Sequence, residues 1–301
     1  MTQQNTTIIF QTHIHSNKSH DSKTSIEEYV KYFESKLKTD EIGVLGVTDH
    51  NCLPISTRAA QTYSTSKVVV VPGIQWKLHK SVLEALRRRA TRREILTLGN
   101  HDNLLEFITQ NTSIKIDKKT DILTGNLTEQ QLLNFLNSSH GLTLIVPHPS
   151  HGFVDYYGPK QIKKLAGKVD QLKTTVNFLV EVATGYDPFP RIFYNYAKRY
   201  RVIASSDAHQ IKSAFGTDSF FSAYSTLAVK SDLLAEWKKI HDEKDISGYH
   251  QVIINIGNLL ISKNEQLVLN KNFFKSTLHF MHSFPSWVTR RFQDFPQNLT
   301  S

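Results

Sequence analysis

The chain has 301 residues, one cysteine (Cys52) and a formal charge of +9. With 39% hydrophobic and 21% charged residues, it is long enough to bury a full core as a globular protein, and its lone cysteine excludes an internal disulfide and leaves any metal site to histidines and carboxylates. No apolar run reaches membrane-spanning length and the polar start MTQQNTT is unlike a signal peptide, so a cytoplasmic protein is expected; the positive balance favours anionic partners such as phosphates, nucleic acid or an acidic protein.

Residues 7–12 read as a buried strand running into His13-Ile14-His15. Strand side chains alternate faces, so His13 and His15 point the same way. Two imidazoles at a strand end can clamp a metal, although a lone pair of this kind more often holds one core and one solvent histidine. Ser25 and Glu28 form a capping-box pattern ahead of Ile26, Tyr29, Val30, Phe33 and Leu37 at helical spacing. Gly43–Thr48 is a second strand, ending at Asp49-His50. Pro54 can open a helix through Gln61. Val68–Val71 is a third strand, closing with Pro72-Gly73-Ile74-Gln75. Alternating strands and helices predict βα units and a parallel sheet.

Residues 80–94 read as a basic helix whose Arg87, Arg88, Arg89, Arg92 and Arg93 face solvent or a phosphate backbone. Ile95–Leu98 is a short strand, followed by His101 and Asp102. A polar excursion is expected over 109–126 and a helix over 128–138. The strand Leu142–Val146 ends at His148, fixed between two prolines, with His151 just beyond. A helix over 160–166 precedes the buried strand Val176–Val182, whose Glu181 needs a partner. A helix over 190–200 leads to the strand Arg201–Ala204, which ends at Asp207-Ala208-His209 with Asp207 and His209 on one face. Residues 231–244 read as a helix and 250–262 as an apolar helix or a strand–helix pair. Residues 269–295 mix Phe273, Phe274, Phe280, Phe284, Trp287 and Phe292 with basic groups, a segment that packs on the parent domain or meets a partner protein.

Strand ends thus present His13/His15, Asp49/His50, Gln75, His101, His148, Glu181 and Asp207/His209. Parallel barrels gather functional groups at the C-terminal ends of their strands. Taken together, His13-Ile14-His15-Ser16 with Ser19-His20-Asp21, Thr48-Asp49-His50-Asn51, Pro72-Gly73-Ile74, His148-Pro149 and Ser206-Asp207-Ala208-His209 resemble the PHP family. This is the polymerase-and-histidinol-phosphatase domain of metal-dependent phosphoesterases, and the likeness covers about residues 7–230.

The resemblance implies an α/β fold, a distorted (β/α)7 TIM-like barrel over residues 1–230. Residues 231–301 would then be a helical and aromatic extension. It implies hydrolysis of a phosphate ester, by a phosphatase or a nuclease, with one to three divalent ions (Zn, Mn or Fe). One metal would be held by His20, or Asp21 in its place, with His50 and His209. A second would use His13, His15 and Asp207. A third would use His148 and a histidine near His101, with a bridging carboxylate. His50, Asp207 and His209 would carry catalysis, and Arg191 and His151 would meet substrate.

The chain departs from the family pattern in three places: Gln75 stands where Glu is usual, Gln11 where Asp is usual, and Leu96 where a histidine is expected. A neutral amide bridges two dications poorly, so a reduced site of one or two metals is expected, with Asp102 a candidate to restore the bridge. Two other readings follow. One is a degenerate domain binding nucleic acid or a partner protein, and the other an amidohydrolase-like metal hydrolase.

Overall fold

The computed structural model describes residues 6–79, 92–100, 102–110, 114–125, 127–139, 141–147, 159–183, 199–212, 218–229, 233–260 and 266–269. Strand β1 (Thr6–Ile14) is buried almost throughout, as expected of a strand covered on both faces. Helix α1 (Ile26–Glu34) begins with the anticipated capping box: Ser25 Oγ accepts from Glu28 N, and Glu28 reaches back to the Ser25 N–H. Its Ile26, Tyr29, Val30 and Phe33 are buried. Strand β2 (Glu41–Val47) follows. Helix α2 (Thr57–Tyr63) starts at a Ser56 cap rather than at Pro54, because the Ser56 hydroxyl satisfies the Ala59 N–H.

Strand β3 (Val68–His79) runs well past Pro72. Its first half pairs with β2 in parallel, from Gly43–Val68 to Val47–Pro72. Its second half pairs with β4 (Arg92–Leu98), antiparallel, from Gly73–Leu98 to His79–Arg92. Pro72 sits at the change of partner, where its carbonyl still accepts from Gly99 N at 3.1 Å. Residues 92–94, expected as the end of a basic helix, are therefore strand; the ladder with β3 overrides their helical propensity. The rest of that basic stretch, residues 80–91, lies outside the described residues.

Next come helix α3 (Asp102–Gln110), a small hairpin of β5 (Ile114–Ile116) and β6 (Leu123–Gly125), and helix α4 (Glu129–Leu136). They are followed by β7 (Thr143–Val146), α5 (Pro159–Val169), β8 (Asn177–Ala183), β9 (Arg201–Ala204) and β10 (Ala223–Val229). Helices α6 (Leu233–Asp242) and α7 (Ile246–Leu260) lead to β11 (Gln266–Leu269).

The large sheet has the order β11-β10-β1-β2-β3-β4-β7-β8-β9 and is nearly closed into a barrel. The segment after β9 comes back to the end of β1, where Ile14 bridges Ala208 and His15 N donates to Ala208 O at 2.9 Å. The distortion of this barrel takes a specific form. Strands β1, β2, β3, β7, β8 and β9 all point one way, while β4 and β10 run against them.

Helices α6 and α7 share the core of β1 and β2: Trp237, Tyr249, Val252 and Ile256 belong to one buried cluster with Phe10, Val44 and Val70. Trp237 Nε1 donates to Thr65 O at 2.8 Å, and Tyr249 Oη donates to Val70 O. A second buried cluster joins β3, β4, β7 and β8 to α3, α4 and α5. Gly73 is required at the crossing of β2, β3 and β4, since a Cβ there would lie 2.5 Å from Leu98 Cδ2 and 2.8 Å from Val47 O. No helix among the described residues is long and apolar enough to cross a membrane.

Candidate metal centre

Strand β1 delivers His13 and His15 into the barrel, and both are fully buried. Their Nε2 atoms face each other at 3.1 Å. Asp207 Oδ1 lies 3.2 Å from each, and Gln75 Oε1 lies 3.1 Å from His13 Nε2. Asp207 sits in the loop after β9 with φ 51°, the left-handed region that Asp tolerates better than most residues and that is often found at functional sites. The kink turns its carboxylate toward the histidines.

A second group adjoins the first. The His15 ring stacks on both His50 (centroids 4.1 Å) and His209 (4.3 Å). Asp21 Oδ2 stands 3.2 Å from His50 Nε2 and 3.1 Å from His209 Nε2. Of the two residues expected for this position, Asp21 is the one whose carboxylate meets both His50 and His209. His20 is exposed, with its ring 5.6 Å from that of His50. The two groups that could each hold a metal ion are His13/His15/Asp207 and His15/His50/His209.

The surrounding bonds aim these rings. Both Glu181 oxygens lie near His13 Nδ1, at 3.0 and 3.2 Å. An Nδ1–H donated there leaves the Nε2 lone pair facing inward. His209 Nδ1 is 3.0 Å from Asp207 O, with the same effect. Asp49 accepts from Ser16 N at 2.6 Å and from Ser16 Oγ at 2.7 Å, which fixes the turn after His15. Ser19 Oγ accepts from His50 N at 2.9 Å. His50 is tied to Gln75 by two backbone bonds, Gln75 N to Asp49 O at 3.1 Å and Asn51 N to Gln75 O at 2.8 Å.

Electrostatics favours cation binding. Burial lowers the pKa of His15 and of His50, keeping both neutral with lone pairs available. Burial also opposes charge on His13, but Asp207 and Glu181 outweigh it and push its pKa up to about 10. The two carboxylates thus demand one positive charge at this point, which either a proton or a metal ion can supply. Burial raises the Asp21 carboxyl, yet His50 and His209 hold it below the usual carboxylate range.

Spacing gives a direct test of fit. A tetrahedral ion with bonds of about 2.0–2.1 Å needs donor–donor edges of about 3.3–3.4 Å, and an octahedral one about 2.8–3.0 Å. The observed edges of 3.1–3.2 Å fall between these values. Among the described residues His50 Nδ1 is also buried without a hydrogen-bond partner. Neutral imidazoles with a few carboxylate and carbonyl oxygens suit a divalent metal ion.

His101, His148, His151 and Arg191 lie outside the described residues. Asp102 does not restore a bridge. It is exposed, and its Oδ1 accepts from Thr57 N at 3.1 Å. Strand β4 runs backwards, so the chain leaves it away from the cluster. Gln11 is a structural amide: its Nε2 donates to Phe220 O and Ala223 O, and its Oε1 accepts from Ser205 Oγ and Ser206 N. Glu94 on β4 was not anticipated as a site residue. It is buried, and one of its oxygens accepts from Gln75 Nε2 at 3.0 Å.

No family profile matches the chain, and no curated protein does. Solved structures do. One is a chain from Bifidobacterium adolescentis assigned as a metal-dependent phosphoesterase, at TM-score 0.43 and 11% identity over 67% of this chain and 87% of that one. Another is Endonuclease Q, solved with a 27-mer duplex carrying an abasic lesion, at TM-score 0.42 and 10% identity. That match covers 78% of this chain but spans only 57% of Endonuclease Q.

Proposed function

We propose that this chain is a metal-dependent phosphoesterase with two adjacent cation sites inside one end of the barrel. The observation that carries this reading is the convergence of His13, His15, Gln75 and Asp207, with His50, Asp21 and His209 alongside, with 3.1–3.2 Å between facing donor atoms. Divalent ions in this donor set would activate water near neutral pH and neutralise phosphoryl oxygens.

The chain's own residues do the rest. Glu181 and the Asp207 carbonyl fix the tautomers of His13 and His209. Asp49 and Ser16 hold His15 and His50 in register. The net charge of +9 and the Lys77 ammonium, which acts on His50 across the site, favour an anionic substrate over a neutral amide.

The test is metal content together with turnover. Protein purified without chelator should carry up to two equivalents of Zn, Mn or Fe per chain. It should hydrolyse a chromogenic phosphomonoester or phosphodiester, and the ratio of the two rates separates a phosphatase from a nuclease. Asp207→Asn and His15→Ala should each lose metal and activity together. Full metal loading with amide hydrolysis and no phosphoester turnover would overturn the assignment. Full loading with neither would point to a binding domain.

A further inference from the structure

The amide at position 75 can offer the cluster either its carbonyl oxygen or its NH2 group, and only the oxygen can bind a cation. What lies behind it decides which. Glu94 enters on β4 opposite this part of β3: Gln75 pairs with Leu96 in the ladder, and Glu94 pairs with Lys77. The Glu94 carboxylate is buried, with one oxygen 3.0 Å from Gln75 Nε2 and the other 3.7 Å from Lys77 Nζ. An ionised carboxylate only accepts hydrogen bonds. It cannot face the amide oxygen without setting two acceptors against each other in a buried site, so the NH2 must turn toward β4. The carbonyl oxygen is then left 3.1 Å from His13 Nε2, among the inward-facing donors.

We propose that Glu94 is a positioning residue that locks the Gln75 amide with its oxygen toward the cluster, which makes Gln75 a neutral ligand of the His13/His15/Asp207 cation. This rests on the metal reading above. The pair moves a negative charge from the coordination shell to one residue behind it. The bound ion keeps an oxygen donor but is neutralised less, and retains more of its charge for an anionic substrate. Such an arrangement follows from the reversal of β4, because a strand running the other way would not bring position 94 to this end of the barrel.

Three variants test it: Glu94→Gln, Gln75→Glu and the exchanged pair Gln75→Glu/Glu94→Gln. Each is measured with wild type for Tm in chelator, and for Mn2+ affinity and stoichiometry by competition with a chromophoric chelator. Glu94→Gln should keep its Tm in chelator and lose about 10–100-fold in affinity for one equivalent, as for other residues that orient a ligand from behind. Gln75→Glu should lower Tm in chelator, since two carboxylates then meet across the 3.0 Å contact. The exchanged pair should recover Tm, because the N–H···O bond re-forms with its donor at position 94, and should bind Mn2+ at least as tightly as wild type, because the carboxylate now sits among the donors. Wild-type Mn2+ affinity in Glu94→Gln, or an exchanged pair no better than Gln75→Glu alone, overturns the assignment. Failure of the wild-type chain to bind Mn2+ or Zn2+ overturns the metal reading and Gln75 ligation with it. The Tm pattern in chelator reports on the amide–carboxylate contact alone, so the two failures are distinguishable.

Discussion

Replacing Glu181 with Gln asks how much the cluster depends on a carboxylate behind His13. In the wild-type chain both Glu181 oxygens face His13 Nδ1, at 3.0 and 3.2 Å, and both residues are fully buried. A hydrogen bond to a charged group contributes about 1.5–3 kcal/mol, against about 0.5–1.5 kcal/mol for a neutral one. The amide can still accept from Nδ1–H, so the substitution keeps the neutral part and should cost about 1–2 kcal/mol. The same step converts to roughly 5–30-fold in metal affinity, which overlaps the lower end of the 10–100-fold range usual for partners of ligating histidines. Glu181→Leu should cost more. With no acceptor at Nδ1, the His13 proton moves to Nε2 and occupies the direction of the bound ion. The assays are urea denaturation of chelator-treated protein and competition titration with Zn2+. A Glu181→Gln protein with unchanged urea midpoint and Zn2+ affinity within twofold of wild type would refute the claim that Glu181 sets the His13 tautomer.

Asp21→Asn should weaken binding at the His50/His209 site while leaving stability in chelator within about 0.5 kcal/mol, because its carboxylate is 35% exposed; metal stoichiometry and urea midpoints check both halves. Gly73→Ala should lower the unfolding free energy by about 1–3 kcal/mol through overpacking against Leu98 and Thr48, seen as a lower urea midpoint with m unchanged. Cys52 is buried and its thiol is pushed up to about 12, chiefly by burial. The folded protein should therefore react with a thiol reagent at pH 8 far more slowly than the urea-unfolded chain, and equal rates would show that Cys52 is accessible. Removing bound metal should lower Tm, since a ligand held at about 100 times its Kd contributes about 2.7 kcal/mol; a scan with and without chelator measures it.

Most of the inner ring of donors was legible because it sits where local signals are strong. His13, His15, His50, Asp207 and His209 each follow an apolar run near a strand end, and for His13 and His15 alternation alone gives a common face without any tertiary information. The choice between His20 and Asp21 was not legible. Both lie in a turn, where periodicity says nothing, and loop geometry brings the shorter carboxylate to His50 and His209. Gln11 reads as a missing ligand, yet its four hydrogen bonds tie β1 to the segments around Ser205 and Phe220. Those partners lie about 200 positions away, and no spacing rule reaches them.

The second row of carboxylates was hardest to read, for a reason that concerns strand direction. Glu181 was visible as a charge inside a buried strand, which obliges a partner but does not name it. Glu94 was hidden within RRRATRRE, a stretch with helical propensity throughout. An apolar run such as Ile95–Leu98 looks the same whichever way its strand points. Direction is decided by pairing: β4 hydrogen-bonds antiparallel to the part of β3 beyond Pro72, on the edge opposite β2. That one tertiary choice has three consequences. It carries Asp102 away from the centre, brings Glu94 behind Gln75, and turns an apparent loss of a ligand into an amide whose oxygen is aimed by the next strand. The replacement at position 75 is therefore readable only together with position 94, and a substitution at either one should be judged by what it does to the other.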